Sequence, residues 1–350
     1  MKQILSILFS LLSVLVLSQN KTIEETHKEI YDISLKDYKS TEDEVGHYIQ
    51  TDNVLMHYIA FGDSTHTPMI WIHGTGSSSW EMLSFRDSLE QMGLYVIAID
   101  YYGHGQTPMP KVEKSIYHIA DDIKFLMDDL SIEKTIIGGW SRGGVAASAF
   151  YDEYSESVLG LMLVDGGSAN ALVPRYQMNR DSLRAKYKEI HISEDVLLTY
   201  PTKYEAFCAL VDTSYTESQS WILDGLKIGL NGEWGYTSDV WLAVANESTE
   251  SMLAALESPM LAPLLASSSY LLNPLVVYRN LSVPLVIIDP VSENETWDNY
   301  TPENLKLKEL QPDFVTHRIY EDTYHHAHFQ RTEWFLKDLE LLMKKIDKEK

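Results

Sequence analysis

The chain has 350 residues, 45% of them hydrophobic and 23% charged, with 51 acidic against 28 basic residues and a formal charge of −23. That length suits one large α/β domain with an insertion or two small domains, and it carries ample apolar sequence for a core. So acidic a chain disfavours a nucleic acid or an anionic membrane surface as partner, and a single cysteine, Cys208, excludes an intrachain disulfide.

The amino terminus reads as an export signal. Lys2 supplies a positive start, Ile4 to Leu17 form an uncharged apolar run, and Val16 and Ser18 offer a small-residue cleavage site before Gln19. The run is short for a membrane span. Removal of residues 1–18 would leave an exported protein, periplasmic or secreted, with no stable membrane anchor. Residues 19–45 are polar and acidic, and read as a loosely attached leader with a short helix. Four N-x-S/T triplets, at Asn20, Asn246, Asn280 and Asn294, would matter only in a host that glycosylates.

His47 to Asp63 alternate in polarity around Thr51-Asp52-Asn53, the pattern of an antiparallel hairpin. An α/β succession follows. Apolar runs at 69–74, 95–100, 135–137, 160–167, 283–290 and 314–320 predict strands; 80–93, 115–130, 144–154 and the carboxyl-terminal segment predict helices. Continuous apolar strands separated by helices predict a mostly parallel twisted sheet covered on both faces. Ligands then bind beyond the carboxyl ends of the strands. Residues 169–275 break the alternation. Their Trp, Tyr, Leu and Met content and helical spacing predict a helical lid. Trp221, Trp234, Trp241, Phe207 and Tyr236 either line an apolar pocket there or pack the insert together. Cys208 reads as a buried helical cysteine.

The stretch KTIIGGWSRGG, Lys134 to Gly144, carries the chemistry. It places Ser141 where a buried strand turns sharply into a helix, within Gly139-Trp140-Ser141-Arg142-Gly143, a G-x-S-x-G pattern. Glycines at 139 and 143 remove clashes that bulky neighbours would make at so tight a turn. A serine hydroxyl is a weak nucleophile and needs a base. After the last strand come His325, His326 and His328; His325 is the expected base, and His326 and His328 are surface or supporting groups. No carboxylate pattern accompanies them to suggest a metal site. The imidazole in turn needs an acid. Asp289, Glu293, Glu295 and Asp298 follow the strand ending near 289. Glu293 is the expected acid, with Asp165, Asp289 and Glu295 as alternatives. Backbone donors for an oxyanion are expected from Arg142 and from Thr75 in IHGTGSSSW.

The order of these residues resembles the α/β-hydrolase superfamily, particularly its lidded members, over about residues 45–168 and 276–345. The likeness rests on IHGTG, on DYYGHGQT at 100–107, on GGWSRGG, and on a late acid followed by a histidine. It implies the α/β-hydrolase fold, with core segments 46–168 and 276–350 and a lid at 169–275. It departs from the usual pattern in carrying Glu at the acid position and Tyr324 where glycine is common, and in lacking the usual Gly-x-x-Asp. The resemblance implies a serine hydrolase acting on a small-molecule carboxylic ester through an acyl-enzyme, with no cofactor. A proline iminopeptidase-like aminopeptidase, with Glu205, Glu217 or Glu233 holding a substrate amine, is the rival enzyme; a non-catalytic ligand-binding protein is the rival of another class.

Overall fold

The computed structural model describes residues 22–349 except 171, 176–177, 188–197, 229–231, 236–255 and 294–298. The predicted export segment lies outside these residues, as do Asn20, Asn246 and Asn294, and also Tyr236, Trp241 and Glu295.

The chain starts with helix α1 (Ile23–Val45), capped by a reciprocal Thr22–Glu25 pair. Strands β1 (Gly46–Gln50) and β2 (Leu55–Phe61) form the expected hairpin, pairing antiparallel with Tyr48 opposite His57. Then come β3 (Thr67–Ile72), α2 (Arg86–Gln91), β4 (Leu94–Ile99), α3 (Ile116–Asp129), β5 (Thr135–Trp140), α4 (Arg142–Tyr154) and β6 (Val158–Val164). The insertion holds α5 (Arg180–Tyr187), α6 (Lys203–Leu210), α7 (Ser220–Gly225), a small ribbon of β7 (Lys227–Ile228) with β8 (Trp234–Gly235), and α8 (Leu264–Leu271). After α9 (Pro274–Val277), the core resumes with β9 (Leu285–Val291), α10 (Thr301–Leu310), β10 (Val315–Glu321), α11 (Ala327–Gln330) and α12 (Thr332–Glu349).

The main sheet has eight strands in the order β1-β2-β4-β3-β5-β6-β9-β10. The hairpin is antiparallel at one edge, and the six strands from β4 to β10 are parallel. Parallel strands need crossovers, and the helices supply them on both faces. One face packs Ile70, Ile97, Ile137 and Leu163 against Ile119 and Ile123 of α3 and Ala147 and Phe150 of α4. The other packs Trp71, Val96, Ile136 and Val164 against Leu89 of α2 and Phe335, Leu339 and Leu342 of α12. No described helix is long and apolar enough to cross a membrane.

The segment read as a loose leader is instead one 23-residue helix fastened to the fold. Ile30, Tyr31, Leu35 and Tyr38 recur at helical spacing and pack on Ala206, Phe207, Ile222 and Leu223 of the insertion. Its mostly polar composition hid this stripe, because one apolar face needs few residues. Phe207 is consumed in that contact, edge-on to Tyr31 at 5.2 Å, while Trp221 is exposed; core packing therefore accounts for Phe207.

Phe335 is fully buried between Trp71 and Phe85, with ring centroids at 5.7 and 5.2 Å. Phe335→Ala should cost about 3–5 kcal/mol of stability, read as a lowered urea midpoint with an unchanged denaturant slope.

Candidate active site

Ser141 stands between β5 and α4 with φ 57° and ψ −122°, a conformation that L-residues adopt only under constraint. A Cβ added at Gly139 would lie 2.4 Å from the Gly143 carbonyl, and one at Gly143 would lie 2.0 Å from the Ile72 carbonyl. The turn is thus too tight for side chains at either position, and it abuts the end of β3. The Ser141 amide donates to the Val164 carbonyl at 2.9 Å, so the serine lies beside the carboxyl end of β6.

Asp165 follows β6 directly. It too has a positive φ, 44°, and its amide donates to Ile288 of β9 at 3.0 Å. Its carboxylate meets His325: Nδ1 lies 2.5 Å from Oδ2, with both side chains largely but not wholly covered. A carboxylate only accepts, so Nδ1 carries the hydrogen, which puts the lone pair of a neutral ring on Nε2. His325 sits in the loop after β10. That loop is fastened to the serine turn by Trp140, whose Nε1 donates to the His325 carbonyl at 2.7 Å. The Trp140 ring also lies 5.2 Å from the His325 ring and 4.7 Å from that of His326.

The acid expectation is corrected here. Glu293 is exposed on the turn after β9, and the carboxylate at His325 is Asp165. Sheet order explains the difference. Strand β6 lies next to β5, whereas β9 is one strand further away, so the end of β6 is the shorter route to the serine. Asp289 is committed elsewhere: it is buried within β9 and 2.7 Å from His317 Nε2 on β10. Glu295 lies outside the described residues. His326 is exposed, and His328 is buried among Trp71, Phe85 and Trp140, where burial lowers its pKa to about 3. Among the described residues no cluster of His, Cys, Asp and Glu could hold a metal ion.

Thr75 and Arg142 flank the serine turn. Arg142 opens α4, so its amide is one of the unpaired first-turn donors of that helix. Thr75 follows the His73-Gly74 turn at the end of β3, and Gly74 packs against the Trp140 ring, where a Cβ would come within 2.5 Å. His73 is buried and stacked on Tyr101 at 4.5 Å; burial lowers its pKa to about 4, and Nδ1 donates to the Gly74 carbonyl at 2.7 Å. The loop is pinned further along. Ser77 donates to Glu81 at 2.7 Å, and the Ser79 amide donates to Asp100 at 2.6 Å. Ser78 donates to Asp224 of α7, a buried carboxyl of the insertion whose pKa burial raises to about 6.

Asp100 explains the DYYGHGQT stretch. Its carboxylate is fully buried and accepts from the amides of Ser79 and, at 2.8 Å, Gln106, while His57 Nδ1 lies 2.7 Å away. Gly105, at φ 50°, makes room: a Cβ there would fall 1.7 Å from the carboxylate. The acids of the insertion considered for amine binding have other partners. Glu205 is exposed and accepts from Thr202, Glu217 is exposed and accepts from Tyr215, and Glu233 accepts from Thr199.

His57, missed in the sequence, lies between two carboxylates, with Nε2 3.0 Å from Glu42 and Nδ1 2.7 Å from Asp100. Neither partner can donate, so both ring nitrogens carry hydrogen and the ring is an imidazolium. Burial alone would lower its pKa, but the hydrogen bonds to Asp100 and Glu42 outweigh that and raise it to about 10. A pKa raised above the ordinary 6.5 contributes stability that is complete below 6.5 and lost as pH rises through about 10. The urea midpoint of the wild type should therefore fall between pH 7 and 10 more steeply than that of His57→Gln, and parallel curves would contradict the assignment.

Comparison with known proteins agrees with this architecture. Residues 67–332 match the family model for the alpha/beta hydrolase fold. An uncharacterized protein of Mycobacterium tuberculosis is 34% identical over 99 residues, 28% of this chain and 29% of that protein. An AB hydrolase superfamily protein of Bacillus subtilis is 26% identical over 133 residues, 37% of this chain and 48% of that protein. The chain thus matches at most about half the length of these relatives. Among solved structures, E-2-(acetamidomethylene)succinate hydrolase superposes with a TM-score of 0.59 at 16% identity, covering 86% of this chain and 99% of that one. Carboxylesterase CesB of Bacillus subtilis superposes with a TM-score of 0.55 at 15% identity, covering 91% and 98%. These likenesses show the fold, and the family match, spanning most of the chain, shows that the protein belongs to the alpha/beta hydrolase family.

Proposed function

We propose that the protein is a serine hydrolase that cleaves a small-molecule carboxylic ester through an acyl-enzyme. The observation that carries this reading is the meeting of a strained serine turn with a histidine whose Nδ1 is bound to a carboxylate, the two joined by the Trp140–His325 hydrogen bond.

In the proposed sequence Ser141 Oγ attacks the ester carbonyl while its proton passes to His325 Nε2. Asp165 holds the ring in the tautomer with its lone pair on Nε2 and stabilises the imidazolium once formed. The amides of Arg142 and Thr75 receive the developing oxyanion. Collapse of the tetrahedral species expels the alcohol, which takes the proton from Nε2. Water then repeats the attack on the acyl group with His325 as base, releasing the acid and restoring the serine. Carboxylesterases among the proteins of similar fold support an ester as substrate. The acidic chain disfavours anionic substrates. On this reading the apolar segment Ile4–Leu17 directs the enzyme to export.

Hydrolysis of p-nitrophenyl esters, set beside proline arylamides and fluorophosphonate labelling, tests the proposal. Ser141→Ala should abolish both labelling and ester turnover. Asp165→Asn should lower kcat by about 10³–10⁴-fold, since it leaves geometry intact but disturbs the tautomer, while Glu293→Ala should stay within about twofold of wild type, in keeping with an exposed surface group. An unlabelled wild type would leave a ligand-binding protein as the better reading, and faster turnover of the arylamides would favour the aminopeptidase.

A further inference from the structure

Helix α1 lies outside the segment that matches the hydrolase family, residues 67–332, yet it reaches the catalytic loop. Glu42, near its carboxyl end, extends into the fold with its side chain largely covered. One carboxylate oxygen accepts from Trp80 Nε1 at 2.6 Å, and the other lies 3.0 Å from His57 Nε2. Trp80 lies in the short 3-10 helix Ser79–Phe85, directly after the loop that begins at His73 and carries Thr75. His57 passes the contact to Asp100, which holds the Ser79 amide at the start of that 3-10 helix, where the loop ends. Glu42 thus grips this loop by two routes, one direct and one through the buried imidazolium.

The rest of α1 touches both the core loops and the lid. Tyr38 stacks on Trp80 at 5.2 Å and accepts from Gln106 Nε2 at 2.6 Å. One turn earlier, Ser34 accepts from the Gln219 amide at 2.9 Å, and Asp37 accepts from Ser218 at 2.7 Å and Ser220 at 3.0 Å. The helix therefore spans lid and loop as one body, its apolar stripe seated on α6 and α7.

We propose that Glu42 is a positioning residue for the oxyanion loop, supplied by a helix additional to the hydrolase core. The proposal rests on the serine-hydrolase reading above. Backbone donors stabilise an oxyanion only when held at the right distance, and displacement of about 1 Å costs roughly 100-fold in rate. A carboxylate that fixes Trp80 and Ser79 sets where the Thr75 amide points. Oxyanion donors act on charge that develops only in the transition state, so loss of Glu42 falls on kcat rather than on KM.

The test compares wild type with Glu42→Ala in the full chain, well below each protein's melting midpoint, using p-nitrophenyl acetate and a fluorophosphonate probe. Glu42→Ala should lower kcat and the labelling rate by about 10- to 100-fold with KM within about threefold. Unchanged kcat and labelling rate, with at most a lowered melting midpoint, would overturn the inference and leave Glu42 a stabilising group. If Glu42→Ala does not fold, Trp80→Phe keeps the ring against Tyr38 while removing the hydrogen bond, and carries the same expectation and the same refutation. A wild type that resists the probe refutes the serine-hydrolase reading itself; a wild type that reacts, with variants that react equally fast, refutes only the role of Glu42.

Discussion

A carboxylate taken out of water is stable only if the protein replaces the hydration it loses. Asp100, fully buried at the carboxyl end of β4, imposes that condition on everything around it. Two backbone amides, from Ser79 and Gln106, and the imidazolium of His57 supply the replacement. The second carboxylate at His57, from Glu42, brings α1 into the same network. Four separate pieces of chain converge because one charge must be satisfied: the hairpin, the loop after β3, the loop after β4 and the amino-terminal helix. The insertion adds a fifth through Asp224 and Ser78. The loop bearing Thr75 is consequently tied down through Ser77, Ser78 and Ser79.

The strained residues lie beside this anchored loop. Ser141 and Asp165 both occupy left-handed backbone conformations without being glycine. Such conformations cost of order 1–3 kcal/mol each and persist only where the surroundings over-determine them. Here the surroundings are adjacent strand ends: Ser141 is bonded to β6 and Asp165 to β9. The strain lifts both side chains above the carboxyl edge of the sheet, where the loop after β10 presents His325. Trp140 connects the parts, with its ring against Gly74 and His325 and its N–H on the His325 carbonyl.

Membership of the alpha/beta hydrolase family accounts for the sheet, the serine turn and the late histidine. It does not account for α1, which precedes the matched segment. A helix added at the amino terminus and a helical insertion after β6 bury their apolar faces against each other. Each would otherwise present an apolar stripe to water, so the two stabilise one another and close over the edge of the core together.

What the sequence determined by itself was local. The β-branched runs specified buried strands at nearly their observed positions, because a strand covered on both faces is apolar throughout. GGWSRGG specified the sharp turn at Ser141, since only glycine fits where Gly139 meets Gly143. That His325 follows the last strand was legible. The carboxylate that meets it was not. Asp165 and Glu293 both follow strands, and only the lateral order β5-β6-β9-β10 puts Asp165 beside the serine strand. The apolar stripe of α1 was hidden among polar residues until the lid surface showed which face was covered. The pairing of Glu42 with His57 spans 15 residues, and that of His57 with Asp100 spans 43. No periodicity encodes such contacts; they exist because burial of one carboxylate draws distant polar groups to it, and burial is decided by the tertiary fold.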